Sequence, residues 1–159
     1  MDKLTHIDSR GMPRMVDVGD KPPTSREAVA SAYIEMKPET LGLIMDKKIS
    51  KGDVLSVATI AGIMGAKKCG ELIPLCHPLN LTSVEMSFHP DEENSRINIK
   101  AVVKCSGKTG VEMEALLAVS TAALCIYDMC KAVDKGMIIS NIMLEEKRGG
   151  RSGEWKRRL

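Results

Sequence analysis

Hydrophobic residues recur at two spacings along this chain, and the two spacings separate predicted strands from predicted helices. Every second position is apolar or small in residues 26–36 and 96–105, which is typical of strands with one buried face. Two more apolar runs, residues 81–88 and 137–144, are also predicted to be strands. The pattern therefore predicts four strands.

Helical spacing predicts three helices, over residues 38–47, 50–68 and 110–133. Gly62 and Gly65 lie inside the second helix and indicate close packing against another backbone. The element order is then β, α, α, β, β, α, β, which indicates an α+β fold. We predict a ferredoxin-like split βαβ sandwich with an antiparallel sheet and packed helices.

The two ends of the chain lack sustained periodicity, and a chain of 159 residues has the size of one domain. We predict a flexible amino-terminal segment (1–22), a single α+β domain that carries any catalysis (23–146) and a flexible basic tail (147–159). The tail holds six bases and one acid, although the whole chain has a net charge of only +2. It either covers a phosphate-bearing ligand or remains solvated.

Cysteine usage and the apolar runs bear on the compartment. Five cysteines are an odd number, none form a CxxC pair, and no apolar signal-type run follows the first residues, so we expect a reducing cytoplasm. The nearly apolar run 115–130 is too short for a membrane span and is predicted to be a buried helix. The low net charge argues against a dedicated nucleic-acid binder.

Lysine and acid positions near predicted helix ends are the first candidates for chemistry. Ser50 and Asp53 read as a capping box that places Lys51 in a first helical turn, where a cation is disfavoured unless an anion binds nearby. The GKTG sequence lacks the earlier glycine of a phosphate-binding P-loop. Thr109 is instead predicted to be an N-cap, with Glu112 as its capping partner.

Asp128 lies in a mostly apolar helical stretch, and we expect burial to raise its pKa unless a cation compensates. Lys131, three residues later, can supply that charge, so the two are either an acid–base pair or an ordinary helical ion pair. Glu112 and Asp128 are about 24 Å apart along one straight helix and about 160° apart around it. If both act on one small molecule, the site lies between subunits.

The loop of residues 73–79 holds His77 between Cys76 and Pro78. Pro78 favours an extended backbone at His77, and a histidine fixed in this way can bind a heterocycle edge or transfer a proton. A metal site is not predicted, because zinc sites usually show a second spaced pair of ligands.

The chain resembles the cyclic pyranopterin monophosphate synthase family, the accessory protein C family of molybdenum cofactor biosynthesis. Four separated blocks carry the resemblance: KGDV at 51–54, IPLCHPL at 73–79, GKTGVEMEAL at 107–116 and IYDMCKAV at 126–133. LTHIDSRGMPRMVDV near the start and GGRSG near the end extend it over almost the whole chain. Arg151 departs from the pattern, since lysine is expected there.

The resemblance implies roles for particular residues. Asp128 and Lys131 would be the catalytic acid–base pair, and Lys51 would lie beside the triphosphate and assist proton transfer. The base-derived ring would be held by Leu75, Cys76, His77, Glu112, Met113 and Glu114. Arg26 and Lys147 would contact phosphates.

The family's reaction converts a cyclic dihydroguanosine triphosphate into cyclic pyranopterin monophosphate and releases pyrophosphate, so the resemblance implies a lyase. It implies no redox cofactor, and it leaves open Mg²⁺ with the triphosphate or pyrophosphate. It also implies a homohexamer, a trimer of dimers with sites at the dimer contacts, and neither a nucleic-acid nor a membrane partner. Two alternatives remain: a scaffold protein whose acids only stabilise helices, and an RNA-binding module, although strand 96–105 has no aromatic residue for stacking.

Overall fold

The computed structural model describes residues 6–158, which form five strands and four helices. The strands are β1 (Thr24–Glu35), β2 (Leu81–Asp91), β3 (Arg96–Gly107), β4 (Ile138–Arg148) and β5 (Trp155–Lys156). The helices are α1 (Pro38–Met45), α2 (Val54–Lys67), α3 (Cys69–Leu72) and α4 (Glu112–Cys130). Of these elements, α3 and β5 are absent from the sequence prediction.

The five strands form one antiparallel sheet in the order β2-β3-β1-β4-β5. Strand β1 lies inside the sheet, and its alternate residues Ala28, Ala30, Ala32 and Ile34 are buried on one face. Strand β3 lies between β1 and β2, so the connection through α1 and α2 joins two strands that are not neighbours in the sheet. The predicted ferredoxin-like α+β arrangement with an antiparallel sheet is therefore confirmed.

Helices α2 and α4 pack on each other and cover the buried face of the sheet. A Cβ atom at Gly62 would lie 3.1 Å from the carbonyl oxygen of Ala118. At Gly65, a Cβ would collide with the side chain of Thr121 and lie 3.2 Å from the carbonyl oxygen of Leu117. The predicted close approach of two backbones is confirmed, and it is an approach between helices.

Helix α4 has the length and the apolar composition of a membrane-spanning helix, so the prediction that this run is too short for a span is wrong, because the helix begins at Glu112, three residues before the run. In this fold, however, its fully buried residues form the centre of the core, as predicted for a buried helix. They include Ala115, Ala118, Ala122 and Ile126. The small alanine side chains on α4 and β1 allow the helix and the sheet to approach closely.

Helix α1 begins at Pro38, as predicted, and its start is bound by a carboxylate from a distant part of the chain. The buried carboxylate of Asp134 accepts hydrogen bonds from the Lys37 N–H at 2.9 Å and from the Thr40 hydroxyl at 3.2 Å. The hydrogen bond from Lys37 is the main cause that lowers the pKa of Asp134. The start of α1 is therefore fixed to the segment that follows α4.

Both predicted capping boxes are wrong. Helix α2 begins at Val54, and its N-cap is Asp53, whose side chain accepts a hydrogen bond from the Ser56 N–H at 3.1 Å. The preceding Gly52 has a φ of 107°, which is outside the helical region, so Lys51 lies before the helix. Helix α4 begins at Glu112 after Val111, which provides no side-chain cap.

The predicted boundary at residue 147 falls inside a strand. Strand β4 continues to Arg148 because the long strand β1 offers partners, with Ala28 opposite Lys147 and Glu27 opposite Arg148. The chain then turns, and β5 pairs back onto β4. The flexibility of the two ends stays a prediction.

Candidate active site

A cavity of about 620 Å³ lies at one end of the sheet, beside the start of α4. Five parts of the chain form its walls: the amino-terminal segment, the start of β1, the loop after α3, the turn before α4 with the first turn of that helix, and the end of β4 with the turn after it. All eight residues predicted to bind substrate line this one cavity. They are Arg26, Leu75, Cys76, His77, Glu112, Met113, Glu114 and Lys147.

Two hydrogen bonds hold the loop that carries Cys76 and His77. The Cys76 N–H donates to the carbonyl oxygen of Ile73 at 3.1 Å. The Nε2 atom of His77 lies 2.7 Å from the carbonyl oxygen of Val16, so His77 carries its proton on Nε2 if this hydrogen bond forms. Val16 belongs to the amino-terminal segment, which therefore forms a wall of the cavity.

The first turn of α4 brings two glutamates with different environments to the cavity. Glu112 forms an ion pair with Lys147 of β4, with 3.0 Å between Oε1 and Nζ. Glu114 is only 4% exposed, and burial raises the pKa of its carboxyl group. Burial also raises the pKa of the neighbouring Cys69 thiol to about 12. Glu112 can therefore act as a charged group, while Glu114 holds its proton to a higher pH than an exposed glutamate.

Arg26 of β1 fills the base of the cavity next to the turn after β4. Its guanidinium donates to the carbonyl oxygens of Gly107, Lys108 and Gly149 at 3.3–3.4 Å. A Cβ atom at Gly150 would collide with this guanidinium, which explains the glycine there. Arg26 thus joins the turn before α4 to the turn after β4.

The three residues predicted to be catalytic form a separate cluster. Asp128 accepts from Lys131 at 2.7 Å and from Lys51 at 3.1 Å. These hydrogen bonds, with the one from Lys131 the larger cause, lower the pKa of Asp128. The prediction that Asp128 is buried is wrong, because its side chain is 59% exposed on the outer side of α4. None of the three residues lines the cavity.

Four further lysine and arginine residues line the cavity and are missing from the predicted set: Lys21, Lys108, Arg148 and Arg151. Two of them have signals in the sequence, since Lys108 belongs to the GKTG turn and Arg151 to the GGRSG segment. Lys21 has no such signal, because no pattern in the amino-terminal segment indicates that Lys21 lines a cavity. Within residues 6–158 no group of three or more histidines, cysteines or acids could hold a metal ion.

The fold and the cavity define a class of protein: a small α+β protein with a cavity in which basic groups and glutamates meet. The model of the MoaC family matches residues 15–150. This chain belongs to the MoaC family.

Several curated relatives are similar to this chain over nearly the full length of both proteins, and each is named cyclic pyranopterin monophosphate synthase. The protein from Chloroflexus aurantiacus is 63% identical over 155 residues, covering 98% of this chain and 95% of its own. The protein from Magnetococcus marinus is 60% identical, covering 99% and 96%. The protein from Pelotomaculum thermopropionicum is 58% identical, covering 99% and 93%.

Proposed function

We propose that this protein is a lyase that converts (8S)-3',8-cyclo-7,8-dihydroguanosine 5'-triphosphate into cyclic pyranopterin monophosphate and pyrophosphate, in molybdenum cofactor biosynthesis. The family and the names of the relatives support this reaction. The observation that carries the proposal is that all eight predicted substrate-binding residues line one cavity. Residues separated by up to 121 positions, from Arg26 to Lys147, meet there.

The cavity provides groups for both parts of such a substrate. His77 and the carboxyl groups of Glu112 and Glu114 can form hydrogen bonds with the edge of the base-derived ring. Because Glu114 is buried and its pKa is raised, it can present a donated hydrogen to a ring acceptor. Arg26 and Lys147 are the cationic groups that we assign to the phosphates.

The proposed acid–base chemistry belongs to the other cluster. Opening the five-membered ring, forming the pterin and closing the cyclic phosphate require several proton transfers. Asp128 is held as a carboxylate between two ammonium groups, so it can accept a proton, and Lys131 or Lys51 can return one. We assign Asp128 and Lys131 as the acid–base pair, with Lys51 beside the triphosphate.

A second subunit would unite the two clusters. Met113, Leu124 and Asp128 lie on one face of α4, because 11 residues make about three turns. Met113 lines the cavity, Leu124 is 60% exposed, and Asp128 ends the face. A partner's α4 packed antiparallel on this face would bring the partner's Asp128 to this subunit's cavity.

Helix α2 adds to the same exposed apolar layer. Val57, Ile60 and Met64 occur at helical spacing and are 42%, 59% and 54% exposed. An apolar surface of this kind supports burial against another subunit. The assembly that we propose is a homohexamer, a trimer of dimers with one site at each end of the dimer contact.

The proposed reaction transfers protons and a phosphoryl group and requires no redox cofactor. Mg²⁺ enters only as a counter-ion of the triphosphate or of the released pyrophosphate. We place the reaction in the cytoplasm, which is consistent with five cysteines that are all unpaired. No nucleic-acid or membrane partner is part of the proposal.

The test is incubation of the purified protein with the cyclic triphosphate, followed by separate measurements of pyrophosphate and pterin. Equal amounts of both products are expected, and GTP, which lacks the additional bond between C8 of the base and C3' of the ribose, should give neither. Pyrophosphate without pterin would indicate a nucleotide hydrolase instead. Absence of both products would refute the proposed reaction.

A further inference from the structure

We infer that Tyr127 is a positioning residue for Lys131, because its hydroxyl group holds the turn that follows α4. This inference rests on the proposed function, in which Lys131 is one member of the acid–base pair. Tyr127 itself does not line the cavity. Its effect on the reaction therefore passes through the position of the Lys131 ammonium group.

Lys131 lies just beyond the regular part of its helix. Helix α4 ends at Cys130, and the Lys131 N–H donates to the carbonyl oxygen of Tyr127 at 2.8 Å. Residues 131–133 form an exposed turn. A lysine side chain in an exposed turn has many conformations, so an ammonium group stays beside one carboxylate only if the backbone below it is fixed.

Two contacts fix this turn from its far side. The Tyr127 hydroxyl donates to the carbonyl oxygen of Lys135 at 3.0 Å, which ties the turn back to the last turn of α4. The buried carboxylate of Asp134 holds the adjacent residue to the start of α1. Of the two contacts, the one made by Tyr127 encloses Lys131, because residues 128–134 lie between its two partners.

The ring and the hydroxyl group of Tyr127 have different surroundings. The ring packs against the hydrophobic core, which fixes its direction, and the hydroxyl reaches the Lys135 carbonyl. Lys131, four residues after Tyr127, lies on the same side of the helix. The hydrogen bond with Asp128 is the main cause that raises the pKa of Lys131, and the nearby Tyr127 acts in the same direction.

The charged groups around Lys131 determine what a looser turn changes. Asp128 accepts from both Lys131 and Lys51, so it keeps one cationic partner if the other moves away. The carboxylate of Asp134 is already used by the start of α1. Loss of the Tyr127 hydroxyl should therefore release Lys131 from Asp128 and leave the rest of the cluster in place.

Tyr127→Phe tests the inference, because it removes the hydroxyl group and keeps the ring in the core. The only other tyrosine of the chain provides the matched control. Tyr33→Phe removes a hydroxyl group from a ring that contacts Arg96 of β3. Circular dichroism and the Tm should stay close to the wild type in both variants.

Competitive acetylation of lysines at a series of pH values, read by peptide mass spectrometry, measures the pKa of Lys131 without turnover. In Tyr127→Phe this pKa should fall toward the ordinary value of 10.5, because the hydrogen bond with Asp128 weakens. Lys48, which forms a similar exposed ion pair with Asp46, is the internal reference and should not change.

The same variant is then assayed with the cyclic triphosphate. Its kcat should fall about threefold to tenfold, the usual effect of one hydrogen bond, and its KM should stay within about twofold of the wild type. Tyr33→Phe should change neither value.

An unchanged pKa of Lys131, or an equal fall in Tyr33→Phe, would overturn the inference. A lowered pKa with a normal kcat would also overturn it, since the position of Lys131 would then not matter for the reaction. If the wild-type protein forms no product while the pKa of Lys131 falls in Tyr127→Phe, the proposed reaction is refuted and the contact between Tyr127 and the turn of Lys131 is retained.

Discussion

The carboxylate of Asp128, near the end of α4, accepts a hydrogen bond of 3.1 Å from the ammonium group of Lys51. Lys51 lies in a loop 77 residues earlier in the chain. Lys51 also donates to the backbone carbonyl oxygen of Asp128 at 2.9 Å, so the two residues are joined twice. Lys131 occupies the other oxygen of the carboxylate. The cluster is exposed, and in it two cations converge on one acid.

Replacing either member of this pair should stop catalysis without unfolding the protein. Lys51→Ala and Asp128→Ala are expected to lower turnover by at least about 100-fold, the usual contribution of a positioned acid or base. Exposed ion pairs contribute little to stability, so circular dichroism and the Tm should stay close to the wild type. Lys48→Ala, which breaks the surface pair with Asp46, is the control with a normal rate. A near-normal rate in either test variant would remove its assigned role.

Mixing two inactive proteins should restore activity if the site lies between subunits. In a hybrid dimer of Glu112→Ala and Asp128→Ala chains, one of the two sites holds neither change. Random exchange makes half of the dimers hybrids, so about a quarter of the wild-type activity is expected. Native mass spectrometry must first show that subunits have exchanged. Exchange without any recovered activity would place both residues in sites within one chain, or deny one of them a role.

The contact between Gly65 and α4 predicts a large difference between two glycine substitutions. Gly65→Ala should lower the free energy of unfolding by about 1–3 kcal/mol, because the new methyl group meets the backbone of Leu117 and the side chain of Thr121. Gly42→Ala in α1 has open space around the new Cβ and should be neutral or stabilising by up to about 1 kcal/mol. Urea unfolding measures both. Equal effects would mean that α2 and α4 are not closely packed at Gly65.

Periodicity predicted the elements of this fold well because the core is built from regular faces. The alternation of Ala28, Ala30, Ala32 and Ile34 and the two glycines of α2 are local signals of burial and of close packing. The ends of helices were predicted poorly, because they depend on groups that local patterns do not contain. Asp134 stabilises the start of α1 from 94 residues away, and Gly52 turns the chain before α2.

The candidate site shows the same division between local and distant information. The resemblance named eight residues that meet in one cavity, while sequence spacing alone could not bring Arg26 to Gly149 or Val16 to His77. Asp128 was expected to be buried because its neighbours in sequence are apolar. It is exposed because it lies on the face of α4 that points away from the sheet, and residues such as Ile126 and Met129 take the buried face.

The buried Glu114 should lower the free energy of unfolding of the protein at neutral pH. Burial raises the pKa of its carboxyl group above the ordinary value of 4.5, so the folded protein retains a proton that the unfolded chain has lost. Stability therefore falls as the pH rises above about 4.5 and through the folded pKa. Glu114→Gln keeps the shape and cannot ionise, so it should unfold at a higher urea concentration than the wild type at pH 7.

The same variant should approach the stability of the wild type well below pH 4.5, where the glutamate is protonated in both the folded and the unfolded states. Glu93→Gln, at an exposed turn position, is the control and should show no pH-dependent gain. Urea midpoints measured from pH 4 to pH 8 test both the expected gain in stability at pH 7 and its loss at low pH. A Glu114→Gln protein that is less stable at every pH would mean that the glutamate is ionised and satisfied by hydrogen bonds, and that its burial is a source of stability.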